Sequence, residues 1–345
     1  MDRVSKQRNI GRVIAGKYEL VALAGEGGMA TVWRGQAYGA AGFSRIVAVK
    51  KMKAEFRAVK NYIDMFIEEA RVGSELQHPN IVQVYDLCQD EDKAYYLIME
   101  WVDGMDLGSF VHAFRKHGHP TPWPLIAAIG VGALRGLAAA HERRNPTGQP
   151  SPVIHRDVSP HNVLLGRNGI VKLTDFGLAR AMDRIHSLTA PGTVKGKLSY
   201  LAPEITMGRA ATTLSDVFAM GSTLWEGLAG EALFDGIRDV DVFAKIRRGE
   251  VRPIESVRQD LPQPMVAVIM RALAPDAKDR FESARDMAHA IASVLSTVQS
   301  QTDAQTLLGR AVDMARSWLG DKRRLAPEET EMRTVVGAGT GPDEE

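Results

Sequence analysis

Cysteine is almost absent from this chain: Cys88 is the single one among 345 residues. One cysteine cannot close an internal disulfide, so a reducing compartment is the expected setting, and Cys88 reads as a packing residue on a strand. Excess charge of either sign is also missing. Lys and Arg number 43 against 42 Asp and Glu, a net charge of +1, which removes the bulk electrostatic case for nucleic acid or an acidic membrane surface. Long apolar runs are scarce. The longest, Leu125 to His141, is interrupted by Arg135 and short for a bilayer, so it is expected as a buried helix rather than a membrane span. Met1 to Arg12 is polar and carries no apolar signal core. A cytoplasmic protein follows as the expectation. No internal repeat is visible.

What is present has two textures. From Gly16 to about Met99 the chain has short β-branched runs: Tyr18–Leu23, Thr31–Arg34, Ile46–Lys50, Ile81–Leu87 and Tyr95–Glu100. Between them, Asn61 to Leu76 repeats apolar residues at helical spacing and stops before His78-Pro79. From Leu107 the periods lengthen to helices over 107–117, 123–142, 213–230, 238–248, 262–274 and 283–298. Arg143 to Pro152 reads as a surface loop by its proline content. Past Val298, Asp303 caps a helix over Ala304 to Leu319, with Leu308, Val312, Ala315 and Leu319 on one face. Its expected role is packing on the large lobe, with partner docking as the alternative. Asp321 to Glu345 is charged and poor in apolar residues, the composition of disorder.

The chemistry concentrates in His155-Arg156-Asp157-Val158-Ser159-Pro160-His161-Asn162 and, thirteen residues on, Asp175-Phe176-Gly177. Phosphoryl transfer needs a carboxylate facing the acceptor hydroxyl, here Asp157, and oxygen ligands for a hard divalent metal, here Asn162 and Asp175. Arg156 has the fork to hold a phosphate on the following loop. Upstream, Gly25-Glu26-Gly27-Gly28-Met29-Ala30 is a small-residue turn that lets backbone N–H groups approach phosphates. A strand bearing Val32 follows it, not the helix a dinucleotide site requires. Lys50 ends Val47-Ala48-Val49-Lys50, and an ammonium among apolar neighbours needs a counter-charge. Glu69 is that partner; Glu68 points about 100° away, and Lys51 is expected on the solvated face.

Together with Ala202-Pro203-Glu204, Asp216 in SDVFAMG and Arg280 in KDRF, these pieces make the chain resemble the eukaryotic-like (Hanks-type) serine/threonine protein kinases of bacteria. The resemblance spans about 16–295 and implies an α+β, bilobal kinase fold. Its N-lobe, 16–101, would be a small antiparallel sheet with one helix, and its C-lobe, 102–295, mainly helical. Residues 1–15 would be a lead, 296–320 an amphipathic helix and 321–345 an acidic disordered tail. It further implies ATP and Mg²⁺, with Mn²⁺ as a substitute metal. Gly25, Glu26, Gly27, Gly28, Val32, Ala48 and Leu164 would surround the nucleotide. Met99 would be the gatekeeper, Glu100 and Val102 would offer hinge backbone to adenine, and Asp106 would reach the ribose. Glu204 would pair with Arg280, and Asp216 would anchor the catalytic-loop backbone. Thr193 is the expected activation-loop phosphorylation site, with Thr189 beside it; a phosphate there would meet Arg156. Protein substrates with Ser or Thr acceptors are the implied partners.

Two departures stand out. The family's lysine two residues after the catalytic Asp is Ser159 here, and its threonine in the activation segment is Lys197. The expectation is an exchange: Lys197 supplies the ammonium for the γ-phosphate and Ser159 the hydroxyl. The rival is a pseudokinase, a nucleotide-binding scaffold, since losing one preorganised charge contact costs roughly 3–4 kcal/mol. Gly73 occupies the place of an apolar residue beneath Phe176, so a gap is expected there, and with it a need for loop phosphorylation, a dimer contact or a regulatory partner.

Overall fold

The computed structural model describes residues 9–176, 197–234, 239–298 and 303–320. Alternating apolar residues build the first lobe as a six-stranded antiparallel sheet. Its strands are β1 (Val13–Ile14), β2 (Tyr18–Glu26), β3 (Ala30–Tyr38), β4 (Ser44–Met52), β5 (Val84–Gln89) and β6 (Tyr95–Glu100), in the order β1-β2-β3-β4-β6-β5. The period of two separates its faces. Val47 and Val49 pack with Trp33, Tyr96 and Ile98, while Ala48 packs with Met52, Leu97 and Met99 under helix α1 (Lys60–Glu75). Phe66 and Ala70 are the α1 residues in that second cluster.

The lead corrects two expectations. Residues 13–14 add an edge strand, and Ile14 is fully buried. Asn9 covers the face on which Lys51 was expected to meet solvent. Lys51 is buried instead, donating to Asn9 Oδ1 at 2.7 Å with its ammonium 5.4 Å from the Tyr96 ring centroid. Burial, then Arg12 and Arg57, lowers its pKa to about 8. Cys88 sits half-buried on β5, where burial and Asp86 push its thiol up to about 12, so it is unreactive at neutral pH.

The second lobe begins with β7 (Gly104–Asp106), then α2 (Leu107–Lys116) and α3 (Trp123–His141). Strands β8 (Val163–Gly166) and β9 (Val171–Leu173) pair with β7 in a three-stranded sheet, order β7-β8-β9. The helices that follow are α4 (Pro203–Thr206), α5 (Thr213–Ala229), α6 (Asp239–Arg248), α7 (Gln263–Ala272), α8 (Ala284–Leu295) and α9 (Ala304–Trp318). Helix α3 is long and apolar enough to cross a membrane by length and composition alone. Here it is the spine of the core, with Ile126, Ile129, Leu134 and Leu137 fully buried against α5 and α8. Gly130 permits that packing, since a Cβ there would sit 3.0 Å from Leu224, and Gly136 lets the segment at Asn80 approach, since a Cβ there would sit 2.7 Å from the Asn80 carbonyl oxygen.

A buried ion pair braces this lobe. Arg280, with no side-chain exposure, grips Glu204 through Nη1–Oε1 at 2.9 Å and Nη2–Oε2 at 2.8 Å. Its remaining donors go to the carbonyls of Leu214, Ala274 and Pro275. Burial raises the Glu204 carboxyl, but Arg280 outweighs it and the pKa is lowered. The lobes are stitched where Val82 N donates to Leu173 O and Leu173 N to Asn80 O, both at 2.8 Å. That pairing draws residues 81–83 away from the strand expected over 81–87.

Candidate active site

Lys50 lies on the Ala48 face of β4, under α1. Its Nζ donates to Glu69 Oε1 at 2.6 Å and to Asp175 Oδ1 at 2.9 Å. Burial alone would depress the ammonium; Asp175 and Glu69 outweigh it and raise its pKa. Burial pushes the Glu69 carboxyl up to about 7, with Lys50 opposing and Asp175 adding. Glu68, one residue earlier, points outward to Arg71, as the helical period requires.

The catalytic-loop segment is held by its backbone. Asp216, fully buried at the start of α5, accepts from His155 N at 2.7 Å and Arg156 N at 2.9 Å, and its Oδ2 lies 2.8 Å from His141 Nε2. His155 Nδ1 accepts from Asp157 N at 3.3 Å, which leaves Nε2–H to donate to Thr174 O at 3.1 Å. That tautomer is neutral. Burial lowers the imidazole pKa against the pull of Asp216 and Asp157. Asn162 Nδ2 donates to Asp157 O at 2.7 Å, and Thr174 N donates to Asn162 O at 3.0 Å. An unbroken chain of contacts thus runs Lys50, Asp175, Thr174, Asn162, Asp157. Arg156 and Asp175 both take left-handed backbone, at φ +63° and +55°. Such conformations cost on the order of 1–3 kcal/mol each and persist where surrounding contacts over-determine them.

Between the lobes lies a cavity of about 790 Å³. Gly25, Val32 and Ala48 form its roof, Leu164 its floor, Met99 to Val102 its back wall, and Thr174 and Asp175 its inner end. Gly27 and Gly28 form the hairpin tip with Glu26 and are not part of the cavity lining; Gly27 N closes the turn on Ala30 O at 2.9 Å. Glu100 N–H is engaged by Gln83 O at 2.8 Å, and Glu100 Oε2 by Lys172 Nζ at 2.9 Å. Asp106 does more than line the cavity. It caps α2 by accepting from Ser109 N at 3.0 Å and Ser109 Oγ at 2.6 Å, and lies 3.0 Å from His161 Nδ1. Burial raises its carboxyl, but these partners outweigh it and lower the pKa.

Among the described residues no cluster of three or more His, Cys, Asp or Glu could enclose a metal. The donor set fits a hard cation that keeps water and phosphate ligands: Asp175 offers a carboxylate. Asn162, whose Nδ2 is tied to Asp157 O, has its carboxamide oxygen left to offer.

Val84 closes over Gly73 from the sheet side, so that a Cβ on Gly73 would lie 2.6 Å from Val84 Cγ2. Phe176 is buried with its ring centroid 4.5 Å from that of His155. Ser159, 2% exposed, has no hydrogen-bond partner for its Oγ among the described residues. Thr189 and Thr193 lie outside the described residues, as does the side chain of Lys197. Sequence reasoning missed Thr174, His161, Arg316 on α9 and Leu319 just past its end, which also line the cavity. His161 lies inside the motifs and Thr174 beside them, but no local pattern marks a helix that begins about 200 residues past the hinge.

The family model described as "Protein kinase domain" matches residues 18–292. The chain is 37% identical over 292 residues to the tyrosine-protein kinase MasK of Myxococcus xanthus, covering 85% of this chain and 45% of that protein. It is 35% identical over 278 residues to the serine/threonine-protein kinase PrkC of Bacillus subtilis, covering 81% and 40%. Among solved structures it resembles the PknI kinase domain of Mycobacterium tuberculosis, with a TM-score of 0.61, 27% identity, and coverage of 82% and 98%. The chain therefore spans less than half the length of these curated relatives and nearly all of that solved domain.

Proposed function

The chain belongs to the protein kinase family, and on that premise we propose that it transfers the γ-phosphoryl group of ATP to serine and threonine hydroxyls of proteins. The observation that carries the reading is the contact chain from Lys50 through Asp175, Thr174 and Asn162 to Asp157, which meets a nucleotide-sized cavity between the lobes at Thr174 and Asp175. Adenine lies against the hinge between Val32 and Ala48 above and Leu164 below, donating its amino N–H to the Glu100 carbonyl and accepting from the Val102 backbone N–H. Asp106 faces the ribose, Lys50 the α- and β-phosphates, and Asp157 accepts the acceptor hydroxyl's proton while orienting that oxygen for in-line attack. Asn162 and Asp175 would hold Mg²⁺, which would supply charge neutralisation for the phosphate oxygens. A cytoplasmic setting, where ATP and reduced thiols coexist, belongs to the same proposal.

The exchange of Ser159 and Lys197 is part of it. A buried hydroxyl without a partner costs on the order of 1–3 kcal/mol, and an incoming phosphate or substrate group meeting Ser159 Oγ offsets that cost. Lys197→Met and Lys197→Ala variants that still bind ATP should lose transfer about 10²- to 10³-fold. Near wild-type turnover in both refutes the exchange.

Hydroxyl preference rests on Pro160, which resembles the Ser/Thr pattern, while the relative MasK is named a tyrosine kinase. Radiolabelled ATP with generic acceptor proteins, followed by phosphoamino-acid analysis, decides it. Phosphoserine and phosphothreonine are expected; phosphotyrosine alone overturns the preference, and no label in any acceptor supports the pseudokinase. Mass spectrometry of Thr189 and Thr193 against an Asp157→Asn control reports self-phosphorylation.

A further inference from the structure

Helix α9 lies beyond the matched family region, which ends at residue 292, and has no part in the chemistry above. It packs beside the hinge. Two glycines make the approach close enough: a Cβ on Gly309 would sit 2.5 Å from the Arg167 carbonyl oxygen. One on Gly169, at φ +73°, would sit 1.9 Å from the Gln305 carbonyl oxygen. Side chains then lock the contact. Arg316 Nη1 donates to Asp103 Oδ1 at 2.9 Å, Arg167 Nε to Asp313 Oδ1 at 2.5 Å, and Arg167 Nη1 to Asp103 Oδ2 at 3.4 Å. Two guanidinium groups and two carboxylates alternate across three elements: α9, the residue just past the hinge, and the β8–β9 turn. Trp318 completes the seat, stacked on His117 at 4.6 Å and edge-on to Phe114 at 5.2 Å.

This seat has a direct consequence for the cavity. Asp103 follows the hinge by one residue, and Arg167 follows β8, which carries Leu164 on the cavity floor. Arg316, Leu319 and Gly320 themselves form part of the wall, on the side of Val102 and Met105. We propose that α9 is a built-in wall of the nucleotide site, and that Arg316 and Leu319 set how tightly its base-and-ribose end is held. This rests on the cavity being an ATP site. Leu319 supplies apolar surface at the outer edge of the slot. Arg316 fixes the hinge exit through Asp103, so roof and floor keep their separation.

The test is calorimetric titration of the full chain with two probes, ATP and adenosine, in wild type, Arg316→Ala, Leu319→Ala and Lys50→Met. Arg316→Ala and Leu319→Ala should each weaken both probes by the same factor, roughly three- to tenfold, since the lost contacts lie at the base-and-ribose end. Lys50→Met should weaken ATP and leave adenosine unchanged. Arg316→Lys, which keeps a cation opposite Asp103 and leaves the Asp103–Arg167 contact in place, should retain most of the adenosine affinity lost in Arg316→Ala, which a general loss of stability would not. Wild-type adenosine affinity in both α9 variants overturns the inference while leaving the ATP site standing. Failure of the wild type to bind either probe overturns the ATP site, and this inference with it.

Discussion

At the scale of single residues, three positions carry consequences that can be measured. Gly73 has no room for a methyl group, because Val84 stands 2.6 Å from where it would go. Gly73→Ala should therefore cost about 1–3 kcal/mol in denaturant unfolding, and adding Val84→Ala should recover most of it. Lys51 has a folded pKa of about 8, below its ordinary 10.5. Its charged form is disfavoured by folding, so the cost is full below pH 8 and is relieved as pH rises towards 10.5. Lys51→Met should remove that rise from the melting temperature measured between pH 8 and 10.5. Glu69 is shifted the other way, from 4.5 up to about 7. It holds its proton more tightly folded than unfolded, so its ionisation opposes folding increasingly from pH 4.5 to 7. The same proton removes the charge that positions Lys50. The KM for ATP should climb as pH falls below about 7, and Glu69→Gln should show a high KM with that limb flattened. Neither the closing of Val84 over Gly73 nor the covering of Lys51 was legible in the sequence. Each depends on a residue distant along the chain, Val84 on a paired strand and Asn9 on the lead.

At the scale of elements, long periodic segments were legible and short ones were not. The amphipathic helix expected over Asn61–Leu76 forms as α1 within one residue at each end, and α9 forms with Leu308, Val312 and Ala315 buried as its spacing implied. β7, β8 and β9 are three or four residues each, too short for a period of two to register. They exist because hydrogen bonds between distant segments order them. The paired acid and base of the large lobe were legible only through the family resemblance, since Glu204 and Arg280 are 76 residues apart. Breaking that pair strands a buried charge. Arg280→Ala should destabilise the lobe by about 3–5 kcal/mol in chemical denaturation, and Glu204→Gln, which keeps a hydrogen-bond acceptor, by less.

At the scale of the whole molecule, the site exists because two lobes of different build meet along one cleft. The sheet lobe delivers Lys50 and Glu69, and the helical lobe delivers Asp157 and Asn162. Asp175 bonds to Lys50 across the cleft, while residues 80–82 pair with β9 at the junction. Motif spacing made the membership of this constellation readable; its closure could be seen only in three dimensions. The most direct test separates binding from transfer in one variant. Asp157→Asn should bind Mg²⁺·ATP with near wild-type affinity, because the carboxylate proposed as base is not among the groups proposed to hold the nucleotide, yet transfer phosphate about 10²- to 10⁴-fold more slowly to a protein acceptor. Transfer within a few-fold of wild type would contradict the account.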